Sequence, residues 1–506
     1  MKKWLSILLA TSLLLCSCGS KEPAPENEDG NKPDVSVTES TTLNGEGSGE
    51  EVSDTTTEVV TETVTQTVTD ASGKPVTEAD GKPVTTVITT IVTILTEKPT
   101  DGKTTTKAGN DGTTGTTKKP GTTTTTKKQG GASTTKKTTT STTKKVTTTT
   151  TSKITVTLGA SDLALFQNIV NTENAWLAST QLSNGALPMT PTTSGTATVN
   201  PYFADFAALS MLNQADKYAS NVKKYMEWHF DHLNTAKTDY NDVDGTIYDY
   251  TATVSNGKVT GESHSNSYDS TDSYAATFLM VVQKYVEKTG DKAYAVSRAK
   301  DIERVVNALF ATVDKDGLTW AKPDYKIKYL MDNCEVYEGM VAGAKLYSDV
   351  LVPAGAGSKT TRDKLKNGAD TVAEKIESEM WRDGYYQPAG TKRAPSWKFN
   401  WSEYYPCATS QVFPIIFGLL DPSTDRAKNL YSNFCNSVAW EYFDYEDKFY
   451  WGSNVQAAVK MGDVDRVRTY MTKYQKIPMK THGYPLYNAD AAKVCMAAYE
   501  IIQMAD

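Results

Sequence analysis

Histidine and paired cysteine are what this 506-residue chain has least of. Only four histidines occur, and His229 and His232, with Asp231 between them, have the spacing of one helix face rather than of a metal site. No catalytic zinc, other metal or cofactor is therefore expected. Of six cysteines, Cys334, Cys407, Cys435 and Cys495 are scattered through apolar helical stretches with no C-x-x-C spacing, and read as small core residues. An oxidising compartment would still allow a Cys407–Cys435 bridge. A basic patch is missing as well: 53 Lys and Arg stand against 60 Asp and Glu, for a net charge of −7, which argues against a nucleic-acid partner. Aromatic residues are absent from residues 20–153, so that stretch has no means of building a core.

What is present begins with Met1-Lys2-Lys3-Trp4 and an apolar run from Leu5 to Leu15, too short to span a bilayer and typical of an export signal. Leu15-Cys16-Ser17-Cys18-Gly19 follows and resembles a bacterial lipobox. Cys18 is the expected lipidated residue, with Ser17 before the cut; Cys16 would place bulky Leu15 there. Residues 1–17 are thus expected to be a lipoprotein signal peptide, with the chain lipid-anchored at the bacterial cell surface and its folded part extracytoplasmic.

Residues 18–157 are a Thr/Lys-rich linker, expected to be disordered. Between Glu58 and Thr96, alternating Val and Thr with repeated Gly-Lys-Pro-Val-Thr leave a small strand-rich patch as the alternative.

Residues 158–506 carry a faint repeat. Six times a helix-period segment ends in a short turn, at Asn184-Gly185, Asp244-Gly245, Asp316-Gly317, Asp383-Gly384, Asp447-Lys448 and His482-Gly483. Segments before the turns (161–181, 215–236, 292–313, 360–382, 424–442 and 463–475) are amphipathic and read as outer helices. Segments after them (204–212, 271–286, 333–346, 407–419, 454–461 and 489–504) carry less charge and more Ala and Gly, and read as inner helices. Twelve alternating helices describe an all-α, six-hairpin α/α barrel, expected to be monomeric, whose irregular connections converge at one mouth. An open helical solenoid is the rival, but its connections are usually short.

This repeat, with Asn200-Pro201-Tyr202-Phe203-Ala204-Asp205-Phe206, Ser267-Tyr268-Asp269-Ser270-Thr271-Asp272-Ser273-Tyr274 and Tyr404-Tyr405-Pro406-Cys407-Ala408-Thr409-Ser410-Gln411, resembles the six-hairpin glycosidase superfamily. The resemblance implies a glycoside hydrolase using two carboxyl groups across a cleft at the barrel mouth.

The residues support carbohydrate independently, because sugars need flat apolar platforms and polar groups for their hydroxyls. Tyr248, Trp320, Tyr325, Trp397, Trp401, Tyr404, Tyr405, Trp451 and Tyr487 all fall in mouth segments. Tyr248, Trp320, Trp397, Trp401, Tyr405, Trp451 and Tyr487 are the candidate substrate-binding rings; packing of loops onto the barrel would place aromatics there too. Among carboxylates, Asp269 and Asp272 lie three apart at a helix start, where capping is the competing role. Glu335 and Glu338 lie three apart on an inner helix, where burial would raise their pKa as a general acid requires; a structural bond to a neighbour is the other reading. Glu403, flanked by aromatics, is the fifth catalytic candidate, and Asp205, Asp249 and Asp490 are weaker ones. A non-catalytic glycan-binding protein, a polysaccharide lyase or a sugar epimerase could use the same scaffold.

Overall fold

A computed structural model describes residues 55–67, 85–97, 154–444 and 449–505. The signal peptide, Cys18, most of the linker and the Asp447-Lys448 turn lie outside the described residues. The chain divides into two units, one of them within residues 20–143. In that unit Thr55–Thr67 (β1) pairs antiparallel with Thr85–Glu97 (β2), Thr55 opposite Glu97 and Thr67 opposite Thr85. This pairing matches the strand-rich alternative for Glu58 to Thr96: β-branched Val, Ile and Thr favour extended backbone.

Among the described residues of the larger unit, twelve helices build the ring: α1 (Ala160–Thr180), α2 (Pro201–Met211), α3 (Ala215–Asp231), α4 (Asp272–Thr289), α5 (Ala299–Ala311), α6 (Leu330–Leu346), α7 (Lys359–Lys375), α8 (Phe413–Ile416), α9 (Asp425–Ser437), α10 (Gly452–Lys460), α11 (Val464–Lys476) and α12 (Asn488–Gln503), with short helical turns at Lys292–Ser297 and Pro478–Thr481 beside them. Even-numbered helices touch in sequence, α2 to α4, α4 to α6, α6 to α8, α8 to α10 and α10 to α12, and α12 returns to α2. That return closes the ring and excludes the open solenoid. The fold is the six-hairpin α/α toroid.

Burial follows the sequence pattern. Along α4, every residue from Asp272 to Val282 is buried, as an inner helix enclosed by neighbours requires. On α5 only one stripe, Ile302, Val305, Val306, Ala308 and Leu309, is buried, leaving the charged face to solvent. The outer ring closes where Asp162 of α1, nearly sealed at 5% exposure, takes Arg468 of α11 through Nε at 2.6 Å and a terminal guanidinium nitrogen at 2.9 Å. Arg468→Ala is expected to cost about 1.5–3 kcal/mol in urea denaturation, because Asp162 would keep its burial and lose its charged partner.

The recurring turns have a common geometry, with φ of +98°, +92°, +91° and +90° at Gly185, Gly245, Gly317 and Gly384. At Gly245 a Cβ would come within 2.0 Å of the Arg304 carbonyl oxygen, so glycine is required on steric as well as conformational grounds.

Two expectations are corrected. The inner segment 407–419 is broken into a wide turn at Tyr404–Ala408 and the short α8. Pro406 and Pro414 each remove a backbone donor, which prevents one continuous helix. Three strands near the mouth were also not anticipated: β3 (Gly195–Val199), β4 (Tyr250–Ser255) and β5 (Lys258–His264) form an antiparallel sheet in that order. Their signal was in the sequence. Asn256 and Gly257, both at positive φ, make the tight turn that alternating strands on either side call for.

Candidate active site

Inner helices begin at the mouth, so residues just before or within their first turns face one another there. Asp269 stands three residues ahead of α4, Asp332 lies in the first turn of neighbouring α6, and Glu335 follows one turn further in. Asp249, from the loop leading into β4, completes the set.

Their environments differ. Asp249 accepts hydrogen bonds from Tyr274 Oη at 3.0 Å and Asn200 Nδ2 at 3.1 Å. Burial pushes its carboxyl up to about 7, against the Tyr274 hydrogen bond, and the charge of Asp269 adds to the rise. Asp269 keeps contact with solvent while enclosed by the walls of the mouth; the enclosure raises its pKa, and the Lys322 ammonium opposes the rise. Asp332 is held well above the usual carboxylate range, first by burial and then by the charges of Asp272, Glu335 and Asp269. Glu335, 2% exposed, accepts a 2.6 Å hydrogen bond from Tyr202 Oη. Burial raises it, with Lys493 and Tyr202 acting in the opposite direction. The Lys493 ammonium lies 4.2 Å from the centroid of the Phe206 ring.

The other sequence candidates have different surroundings. Asp272 is fully buried, and its carboxylate accepts from Ser270 Oγ (2.6 Å), the Ser273 amide (2.8 Å) and Thr319 Oγ1 (2.7 Å). It ties the start of α4 to the strand-like segment at Thr319 and is closed off from solvent. The Ser273 amide also donates to Ser270 Oγ at 3.1 Å, so the capping role falls to Ser270. Glu338, a turn deeper than Glu335, sits under the influence of Lys460 and Lys284 toward the opposite end of the barrel. Glu403 accepts from Trp397 Nε1 at 3.3 Å and from the Cys407 thiol at 3.2 Å, fastening its own loop. Cys407 and Cys435 are both free thiols, so no bridge joins them. Asp205 is sealed beneath Tyr225 and Thr277, whose hydroxyls donate to it at 2.8 and 2.7 Å.

The aromatic candidates divide in the same way. Tyr248 is buried, its hydroxyl donating to the Thr238 carbonyl and accepting from the Tyr240 amide. It anchors a loop rather than offering a face. Lys326 covers the Trp320 ring at 4.5 Å. Trp401 meets Phe399 edge to face, and Trp397 is held by Glu403. Tyr405 and Trp451 pack together at 5.1 Å, and Tyr487 lies beside Phe449 and Phe203, all at the mouth. Asp332 was missed as a candidate because a first-turn acid on a helix is ordinarily explained by the helix dipole.

Asp249 allows a direct test of this electrostatic setting. A carboxyl protonated in the folded chain up to about pH 7, but ionised in the unfolded chain above about pH 4, makes stability fall between those values as pH rises. Asp249→Asn removes that proton linkage and keeps an acceptor for Tyr274. The variant is expected to gain stability relative to the parent from pH 4 to 7, with the difference level above, as thermal melts at each pH would show.

No family model matches the chain, and neither does any curated protein sequence. Among solved structures, the chain is similar to a glycosidase in complex with glucose, at 13% identity and a TM-score of 0.49, over 69% of this chain and 100% of that one. It is also similar to a D-mannose isomerase (11%, 0.44, 69% and 100%) and to a rhamnosidase from Klebsiella oxytoca with rhamnose bound (14%, 0.44, 69% and 65%). Superpositions of this quality leave the fold resting on the closed ring of helix contacts, and they assign no residue a role.

Proposed function

We propose that the chain is a cell-surface glycoside hydrolase, anchored by lipid at Cys18, in which Asp332 and Asp269 are the working carboxyl pair. The observation that carries this reading is their placement: two acids at the mouth ends of adjacent inner helices, the charge of Asp269 acting on Asp332, in a mouth bordered by aromatic rings. Asp332, whose carboxyl is held well above its ordinary range first by burial and then by the neighbouring charges, is suited to give a proton to the departing glycosidic oxygen. Asp269, reached by solvent and beside the Lys322 ammonium, is suited to take a proton from the attacking water. Water oxygen bonds to the anomeric carbon as the carbon–oxygen bond to the leaving sugar breaks. The two protons moved, one onto the leaving oxygen and one off the water, balance the step. Glu335, fixed by Tyr202, acts through Asp332 by adding negative charge near it.

The test is incubation of the full chain with a panel of soluble polysaccharides and oligosaccharides, followed by sizing of the products. New reducing ends on at least one glycan support hydrolysis. Unsaturated sugar products would instead indicate a lyase, and binding without product on every glycan would leave the non-catalytic alternative.

A further inference from the structure

Exposed aromatic rings border the carboxylates from different hairpins of the ring. From one hairpin Tyr240, 41% exposed, packs at 4.9 Å against Tyr268, whose chain neighbour is Asp269. The Tyr248 hydroxyl holds the Tyr240 amide, and the Asn241 amide reaches Asp324 at 3.1 Å, so the loop presenting Tyr240 is fastened at both its base and its flank. From another, Tyr405, 37% exposed, lies close enough to act electrostatically on Tyr202 and Tyr329, which border Glu335 and Asp332. Tyr405 packs on Trp451, and two residues away along the same loop Phe449 meets Tyr484 at 6.2 Å. Tyr484 is 75% exposed, well beyond what a ring needed only for packing would show. The two outermost rings belong to different hairpins, Tyr240 following α3 and Tyr484 preceding α12.

A site for a terminal sugar needs platforms on one side only, with a wall on the other. Platforms on both sides suit a chain that enters and leaves. We infer that the mouth binds a polysaccharide lengthwise, with sugar units resting on Tyr240 to one side of Asp269 and Asp332 and on Tyr484 to the other, so that cleavage is internal. This rests on the carbohydrate reading above. Stacking of apolar sugar faces on rings supplies the affinity, and the tyrosine hydroxyls are dispensable for it.

The inference is tested by binding, which does not require turnover. Size-defined ladders of α-1,4-glucan, β-1,4-glucan and β-1,4-mannan, two to eight sugars long, are titrated into the full chain carrying Asp332→Asn. Affinity for at least one ladder is expected to keep rising beyond three sugars. Tyr240→Ala and Tyr484→Ala should each weaken binding of the octasaccharide by about tenfold, leave the disaccharide unaffected, and together weaken the octasaccharide by about a hundredfold. Tyr240→Phe and Tyr484→Phe should retain it. With the unmodified chain, the first products should be internal fragments. Affinity that is flat beyond two sugars, loss at only one tyrosine, equal loss for short and long sugars, absence of binding to all three ladders, or release of end sugars alone would each overturn it. Rising affinity with tyrosine-dependent loss but no product from the unmodified chain would sink the hydrolase reading and leave the lengthwise site standing.

Discussion

Asp332→Asn is expected to lower turnover of natural glycosides by about 10²–10⁴-fold with the fold intact, the range a positioned proton donor contributes. The amide is isosteric and cannot donate a proton to oxygen. It also removes a titratable carboxyl whose charged form burial and the neighbouring carboxyl groups disfavour, so stability should hold or rise. Leaving-group dependence separates a proton donor from a merely structural residue. An aryl glycoside with a dinitrophenolate leaving group needs little protonation, and Asp332→Asn should process it nearly as fast as the parent. Asp269→Asn should be slow on both substrates, since water activation is needed in either case. Equal losses on activated and natural substrates in Asp332→Asn would remove that residue from the acid role. Asp272→Asn is the contrasting case. Its carboxylate is saturated by three donors, so the variant should lose stability, with kcat of the folded fraction near that of the parent.

The architecture was readable because burial imposes composition. An inner helix surrounded by neighbours must be apolar or small nearly all round, an outer one only along a stripe, and six alternations of those patterns leave little choice of fold. Interruptions at Pro406 and Pro414 were visible as residues, but their effect depends on tertiary contacts that allow the ring to tolerate a broken member. The candidate site was less readable, for a different reason. Asp269, Asp272, Asp332 and Glu335 all sit near helix starts, where local rules explain an acid equally well. What separates them is the direction of approach of distant groups: Thr319 seals Asp272, Tyr202 reaches Glu335, and Asp269 stays open to solvent. Tyr248 shows the same dependence, since the unanticipated sheet and the loop at Thr238 enclose a ring that its position in the chain places at the mouth.

Gly339→Ala is expected to destabilise the barrel by about 1–3 kcal/mol, although alanine is the better helix former. On α6 this glycine faces Ala276 of α4, and a Cβ there would stand 2.6 Å from Ala276 Cα, 2.6 Å from its Cβ and 2.7 Å from its carbonyl oxygen. Those are mostly backbone atoms, which cannot turn aside as the end of a long side chain can. Relief requires the two helices to separate. Gly343, one turn further along the same helix, supplies the control. Its added Cβ would meet the terminal carbons of Leu365 at 3.2 and 3.3 Å, which can shift by a rotamer change. Gly343→Ala should therefore stay within about 1 kcal/mol of the parent in urea denaturation. The displacement has a second consequence, because α6 carries Asp332 and Glu335 while α4 follows directly from Asp269. Forcing the helices apart moves the proposed acid and base relative to each other, so Gly339→Ala should also lower kcat under conditions where the variant remains folded. Gly343→Ala, which leaves the α4–α6 spacing alone, should not.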